Sequence, residues 1–338
     1  MNQACLATVV MTIALFGTTG RAAEPMSTAD NVRTAIAKSI LLLEKGSKGS
    51  IEQRKQCFNC HNQGLPMMAL ELARTRGFDV DAENLKQQLQ FTANFLGRNK
   101  DQYRKGAGQG GQVDTAGFAL WALDNGGWKP DDTTEAVIEY LLQRQSDRPH
   151  YRPESNRPPS EQSYFTSSYV GLRGLKVYGI PEQQDRIKAR IDQVRGWLLE
   201  TPGMDTEDRV FRLHSLRLVT APDDALQQAA EQLKAMQRED GGWSQLPDMT
   251  SDAYATGTAL VALHEAGGLS TDDSAYRKGL SYLISTQEED GSWHVRTRAE
   301  PFQTYFESGY PHGKDQFISI AAAGWSTTAL ILSLPKQP

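Results

Sequence analysis

The chain has 338 residues, 39% hydrophobic and 23% charged, with a formal net charge of −5. That balance suits a globular protein with a substantial core and argues against disorder. A mildly acidic chain is a poor nucleic-acid binder, so no nucleic-acid partner is expected.

Ala4 to Phe16 is an uncharged, almost unbroken apolar run, too short to span a bilayer comfortably. Small residues follow at Gly20, Ala22 and Ala23, which suits a signal peptidase. We read residues 1–23 as a cleaved export signal and 24–338 as the mature domain, placed in the periplasm or outside the cell. Met1 to Gln3 carries no Lys or Arg, which leaves an uncleaved anchor as the alternative. No later segment approaches spanning length, so the mature chain is expected to hold no integral membrane segment. It would keep two of the three cysteines, Cys57 and Cys60.

Beyond the leader the pattern repeats about every 40 to 55 residues: a charged amphipathic helix, a loop, then a helix rich in Ala, Leu and small residues. Six such pairs are predicted. The amphipathic members cover 31–45, 83–98, 133–146, 183–200, 223–238 and 273–289. The apolar members cover 64–76, 114–126, 162–178, 206–219, 251–266 and 316–333. Amphipathic helices must show one face to water, whereas stretches such as Ile318 to Leu332 have no polar face to show. The former belong to an outer ring and the latter to an inner one. The prediction is an all-α fold, a single (α/α)6 toroid, with the long loops 99–113, 147–161 and 290–315 gathered at one end.

Two of the loop starts are specific. Gln287, Gly291 and Trp293 follow an outer helix, and Gln237, Gly241 and Trp243 repeat the pattern. Gln145, on the third outer helix, leads instead into Arg148-Pro149-His150-Tyr151. The two loop starts resemble the QW repeat of squalene-hopene and oxidosqualene cyclases, whose α/α toroid is shared by protein prenyltransferases. The resemblance implies a structural role: glutamine satisfies backbone groups at a helix end and the indole tethers the loop. The cyclases' Asp-Xaa-Asp-Asp acid motif is absent. Asp114 and Asp252 open inner helices and are read as N-caps, as are Asp131-Asp132 and Asp272-Asp273 at outer helices.

Cys57-Phe58-Asn59-Cys60-His61 has the spacing of covalent c-type haem attachment, two thiols for the vinyl groups and an imidazole for iron. Zinc, a disulfide and free thiols are the alternatives. A ring of six pairs makes the last inner helix a neighbour of the first, so His312 is expected near His61. It would be the second iron ligand, or would complete a Cys2His2 zinc set. Met67 and Met68 are rival ligands but follow His61 too closely to reach around a porphyrin. The Tyr305 to Gln316 segment also resembles part of exported bacterial toroid proteins that join CxxCH to cyclase-type repeats, a resemblance that implies no established activity.

His214 and His264 are read as packing residues, and His150 and His294 as loop surface groups. Trp121, Tyr164, Phe165, Tyr254 and Trp325 fall on inner helices, where they line a bore for an apolar, isoprenoid-like ligand or simply pack. Gly106 to Gln112 lacks the strand and the Gly-Lys-Ser/Thr ending of a phosphate loop. Three functions remain in view: an exported haem protein serving a redox partner, an isoprenoid cyclase or prenyltransferase, and a non-catalytic binding toroid.

Overall fold

The computed structural model describes residues 29–301 and 304–335; the leader assigned to 1–23 lies outside them. Among the described residues the chain is helical, with two isolated bridge pairs and no strand. The outer helices are α1 (Ala29–Arg54), α3 (Ala82–Arg98), α6 (Asp132–Gln143), α8 (Gln184–Glu200), α10 (Asp223–Lys234) and α12 (Ser274–Thr286). The inner helices are α2 (Leu65–Thr75), α5 (Gln112–Asn125), α7 (Tyr164–Tyr178), α9 (Thr206–Leu218), α11 (Ala253–Glu265) and α13 (Gln316–Leu332). A short helix, α4 (Lys100–Arg104), lies in the long loop 99–113. No helix among the described residues is long and apolar enough to cross a membrane.

Burial separates the two rings as hydropathy predicts. Along α10 only Leu226, Ala229 and Leu233 are buried, a single stripe at helical spacing. Along α11 every residue from Ala253 to Leu263 is buried. Each inner helix packs against the next, and α13 packs against α2 and α1, which closes the ring. Small residues set these distances: a Cβ on Gly324 would sit 3.1 Å from the Leu65 carbonyl oxygen, and one on Gly257 would sit 2.7 Å from the Ser326 nitrogen. Thr327 Oγ1 and Ser39 Oγ bond across the closure at 2.7 Å.

The QW segments join neighbouring outer helices. Trp243 Nε1 donates to the Leu233 carbonyl at 2.9 Å and Trp293 Nε1 to the Leu283 carbonyl at 2.8 Å, each indole folding back onto its own helix. Gln237 Nε2 donates to the carbonyls of Gly241 and of Ala275 on α12. Gln287 Nε2 makes the equivalent bonds to Gly291 and to Ala35 on α1, so the last repeat is stapled to the first helix. Gly241 and Gly291 have φ of 87° and 94°. A Cβ there would collide with the backbone of the next outer helix, at Lys278 and Lys38. After the third outer helix, where the sequence departs from the QW pattern, Tyr151 takes the place of the indole: its buried hydroxyl donates to the Leu141 carbonyl at 2.6 Å.

Replacing Gln287 by Ala removes two bonds, one of them across the ring closure. Urea unfolding should show a loss of about 1–2 kcal/mol, with faster amide exchange in the first turns of α1. Gln237→Ala should loosen α12 instead and leave α1 protected.

Candidate functional site

The CxxCH segment leads straight into the first inner helix through a π-helical turn, Cys60–Gly64. Such turns are rare and recur at functional sites. Asn59 caps it, its Oδ1 accepting from the backbone N–H of His61 and Asn62, while Gln63 Oε1 accepts from Asn59 N–H at 2.8 Å. Gln63 then donates to Gln88, Gln88 to Asn84, and Asn84 to Ser47. This buried run of amides anchors the motif to α3 and α1.

Cys57 is exposed, Cys60 is buried, and both thiols are free. With His61 they line a pocket of about 470 Å³ whose wall also carries Phe58 and Phe95, within the size range of small-molecule sites. Arg54, Arg98 and the ion-paired Arg157 and Glu161 are also among its lining residues. Burial, opposed by the Glu161 charge, lowers the His61 imidazole to about 4, so it is neutral near pH 7. Neither of its ring nitrogens has a hydrogen-bond partner among the described residues. Burial raises the Cys60 thiol well above the usual range, which keeps it protonated.

Beside this pocket stands an acid that spacing alone concealed. Asp114 is not the cap of α5: Gly111 holds that position, and Asp114 lies within the first turn with its Oδ1 accepting from Ser167 Oγ at 2.6 Å. Its Oδ2 is buried without a partner. Burial, then the Glu161 carboxylate, push the Asp114 carboxyl up to about 8. On α9 burial likewise pushes Glu207 up to about 8, with its Oε1 accepting from Thr166. Asp252, by contrast, is the N-cap of α11 and accepts from Ala255 N–H. Asp131 and Asp273 cap α6 and α12, whereas Asp132 pairs with Lys100 and Arg104.

His312 does not line the pocket. The ring closes as expected, but the long loop before α13 runs back over α1, where the Ser308 carbonyl presses on Gly49 and Tyr310 on Gly46. That path carries the His312 ring to His294, with centroids 4.6 Å apart, and to Ser292. Phe306 of the same loop lies under the guanidinium of Arg54, a pocket-lining residue, at 5.1 Å.

The middle of the bore is filled. Trp325 of α13 meets Trp121 of α5 at 5.9 Å and Phe211 of α9 at 6.1 Å between centroids, contacts between inner helices that are not ring neighbours. Tyr169 and His214 complete the cluster. Tyr164 and Phe165 lie elsewhere, stacked on His150 and Trp197, and Tyr254 is buried in α11.

With this geometry in place, residues 206–327 match the squalene-hopene cyclase C-terminal domain family. The type II terpene cyclase MstE from Scytonema superposes with a TM-score of 0.56 over 90% of this chain and 99% of that one, at 14% identity. The chain has the squalene-cyclase α/α-toroid fold. The squalene–hopene cyclase of Bradyrhizobium diazoefficiens is 34% identical over 112 residues, 30% of this chain and 16% of that protein. That of Zymomonas mobilis is 34% identical over 94 residues, 24% of this chain and 14% of the relative. This squalene-cyclase-type toroid therefore spans less than a fifth of either curated relative in the matched region. The MstE structure with geranylgeranyl dihydroxybenzoate bound superposes with a TM-score of 0.56 at 12% identity.

The Asp114 carboxyl titrates higher in the folded chain than its ordinary value of 3.8. The native state thus binds the extra proton, and stability falls as pH rises from about 4 to about 8, by at most about 1.4 kcal/mol per pH unit for this group. Asp114→Asn should flatten that fall, with melting temperatures nearly equal to wild type at pH 4 and higher at pH 8. Thermal unfolding across that range checks it.

Proposed function

We propose that this protein is an exported toroid that carries one c-type haem at the rim of its ring and serves in electron transfer or a related redox reaction. The observation that carries the reading is the pocket itself, lined by two free thiols and a neutral imidazole that has no hydrogen-bond partner among the described residues. Cys57 and Cys60 would hold the porphyrin edge through thioethers and His61 would ligate iron. Arg54, Arg98 and Arg157 line the same pocket, side chains of the type suited to carboxylates such as the propionates, with Arg157 paired to Glu161 and Arg98 donating to the Gln56 carbonyl. Haem bound there would supply one-electron chemistry, and the protein would contribute the ligand, the burial and the charge around it.

Zinc at the thiols is less well supported. Among the described residues the only three-residue His, Cys, Asp or Glu group whose ligand atoms all lie within 4.8 Å of one another is found elsewhere. A haem would remove that requirement, since Cys57 and Cys60 would bond its vinyl groups and only His61 would ligate the metal.

A second reading, an acid-dependent enzyme acting on an isoprenoid, draws on Asp114, a carboxyl that keeps its proton near neutral pH. The packed aromatic cluster counts against it, since a long apolar chain needs room where Trp121 and Trp325 meet. Any apolar ligand would instead be taken at the rim.

Expressed in a host that matures c-type cytochromes, the protein should show a Soret band and keep its haem on a denaturing gel. Cys57→Ser with Cys60→Ser should abolish covalent retention, and His61→Ala should shift the spectrum while leaving the thioethers. Colourless protein with intact thiols would refute the haem reading. For the second reading, products from squalene and prenyl diphosphates, sought by mass spectrometry and lost in Asp114→Asn, are the required result.

A further inference from the structure

The loop that withholds His312 from the thiol pocket assembles a different group. Glu288, His294 and His312 each present a ligand atom, and these three atoms lie within 4.8 Å of one another. The two imidazole rings are stacked, parallel to within 7° with centroids 4.6 Å apart, so one ring turns about its side-chain torsions for both in-plane lone pairs to meet one ion. Each is oriented through Nε2. His294 Nε2 donates to Asp315 Oδ2 at 2.9 Å, and Asp315 is itself fixed by Thr297 N–H on its other oxygen. His312 Nε2 lies 2.9 Å from Ser292 Oγ, whose own proton goes to Asp290 Oδ1 at 2.7 Å. Ser292 therefore accepts and His312 donates. With Nε2 engaged on both rings, Nδ1 is the nitrogen left with a free lone pair.

An imidazole backed by a carboxylate, directly or through a hydroxyl, is the outer-shell arrangement that fixes tautomer and orientation at metal centres. Two imidazoles and one carboxylate form the donor set of open, three-ligand zinc sites. The backbone adds a second observation. His312 is held at φ 80°, in the left-handed region that a residue with a side chain occupies only when its surroundings compel it. Asp290 and Asp315 add negative charge around the group, and its partial exposure leaves a path for an ion and for water.

We propose that Glu288, His294 and His312 bind a divalent late transition-metal ion of the zinc type, with a coordination position left to solvent. The site is separate from the thiol pocket and does not depend on haem. It uses two residues that sequence reading placed otherwise, His294 as a surface group and His312 as a haem or thiol-site ligand.

The test is calorimetric titration of the purified full chain, freed of metal by a chelator, with Zn²⁺ alone. One ion per chain should bind. His294→Ala and His312→Asn should each weaken binding by about tenfold or more, and Asp315→Asn by about tenfold. Asn is chosen at position 312 because it tolerates the left-handed backbone. Should that variant fold poorly, His294→Ala and Glu288→Gln carry the test. The Cys57→Ser, Cys60→Ser double variant should bind zinc as wild type does. The proposal is overturned if wild type takes up no zinc saturably, if uptake survives in the variants at 288 and 294, or if uptake is lost with the cysteines.

Discussion

Ring closure is the constraint on which the other features of this molecule rest. Neither end of a row of six helix pairs can bury its inner face alone, so α13 must find α2 and α1. It does so at close quarters because Gly324 lets its backbone approach that of Leu65. Polar bonds then fix the register: Thr327 to Ser39, Gln287 to Ala35, and Arg76 to the Leu334 carbonyl. Dispersion and burial supply the attraction, and these directional bonds select one alignment.

Closure also determines where chemistry is found. Rings from three non-adjacent inner helices meet on the axis and occupy the bore at that level. The exposed thiol, the neutral imidazole and the raised acid all lie at the starts of inner helices, beside the long loops. A rigid double ring with variable loops at one end separates stability from function, since loop residues can change without disturbing the packed core. Sharing this architecture with squalene–hopene cyclases does not by itself assign an activity.

Within the rim, charges are arranged by burial more than by pairing. Asp114 and Glu207 are pushed toward protonation because the interior disfavours their ionised forms, while the same desolvation holds His61 neutral. Surface carboxylates such as Asp132 go the other way, held low by Lys100 and Arg104.

The helix pairs, the two-ring sorting and the QW tethers were legible in the sequence because each depends on local periodicity or on residues a few positions apart. Hydropathy along α10 and α11 fully anticipates which one faces water. The thiol motif was legible for the same reason, its parts being adjacent. What no local pattern specified was the path of the loop before α13, which depends on Ser308 meeting Gly49 and Tyr310 meeting Gly46 across more than two hundred and fifty positions. That path separates His312 from His61 and sets it beside His294. The environment of Asp114 was equally hidden, because a carboxyl's protonation follows from the depth at which neighbouring helices bury it, and depth is a property of the closed ring alone.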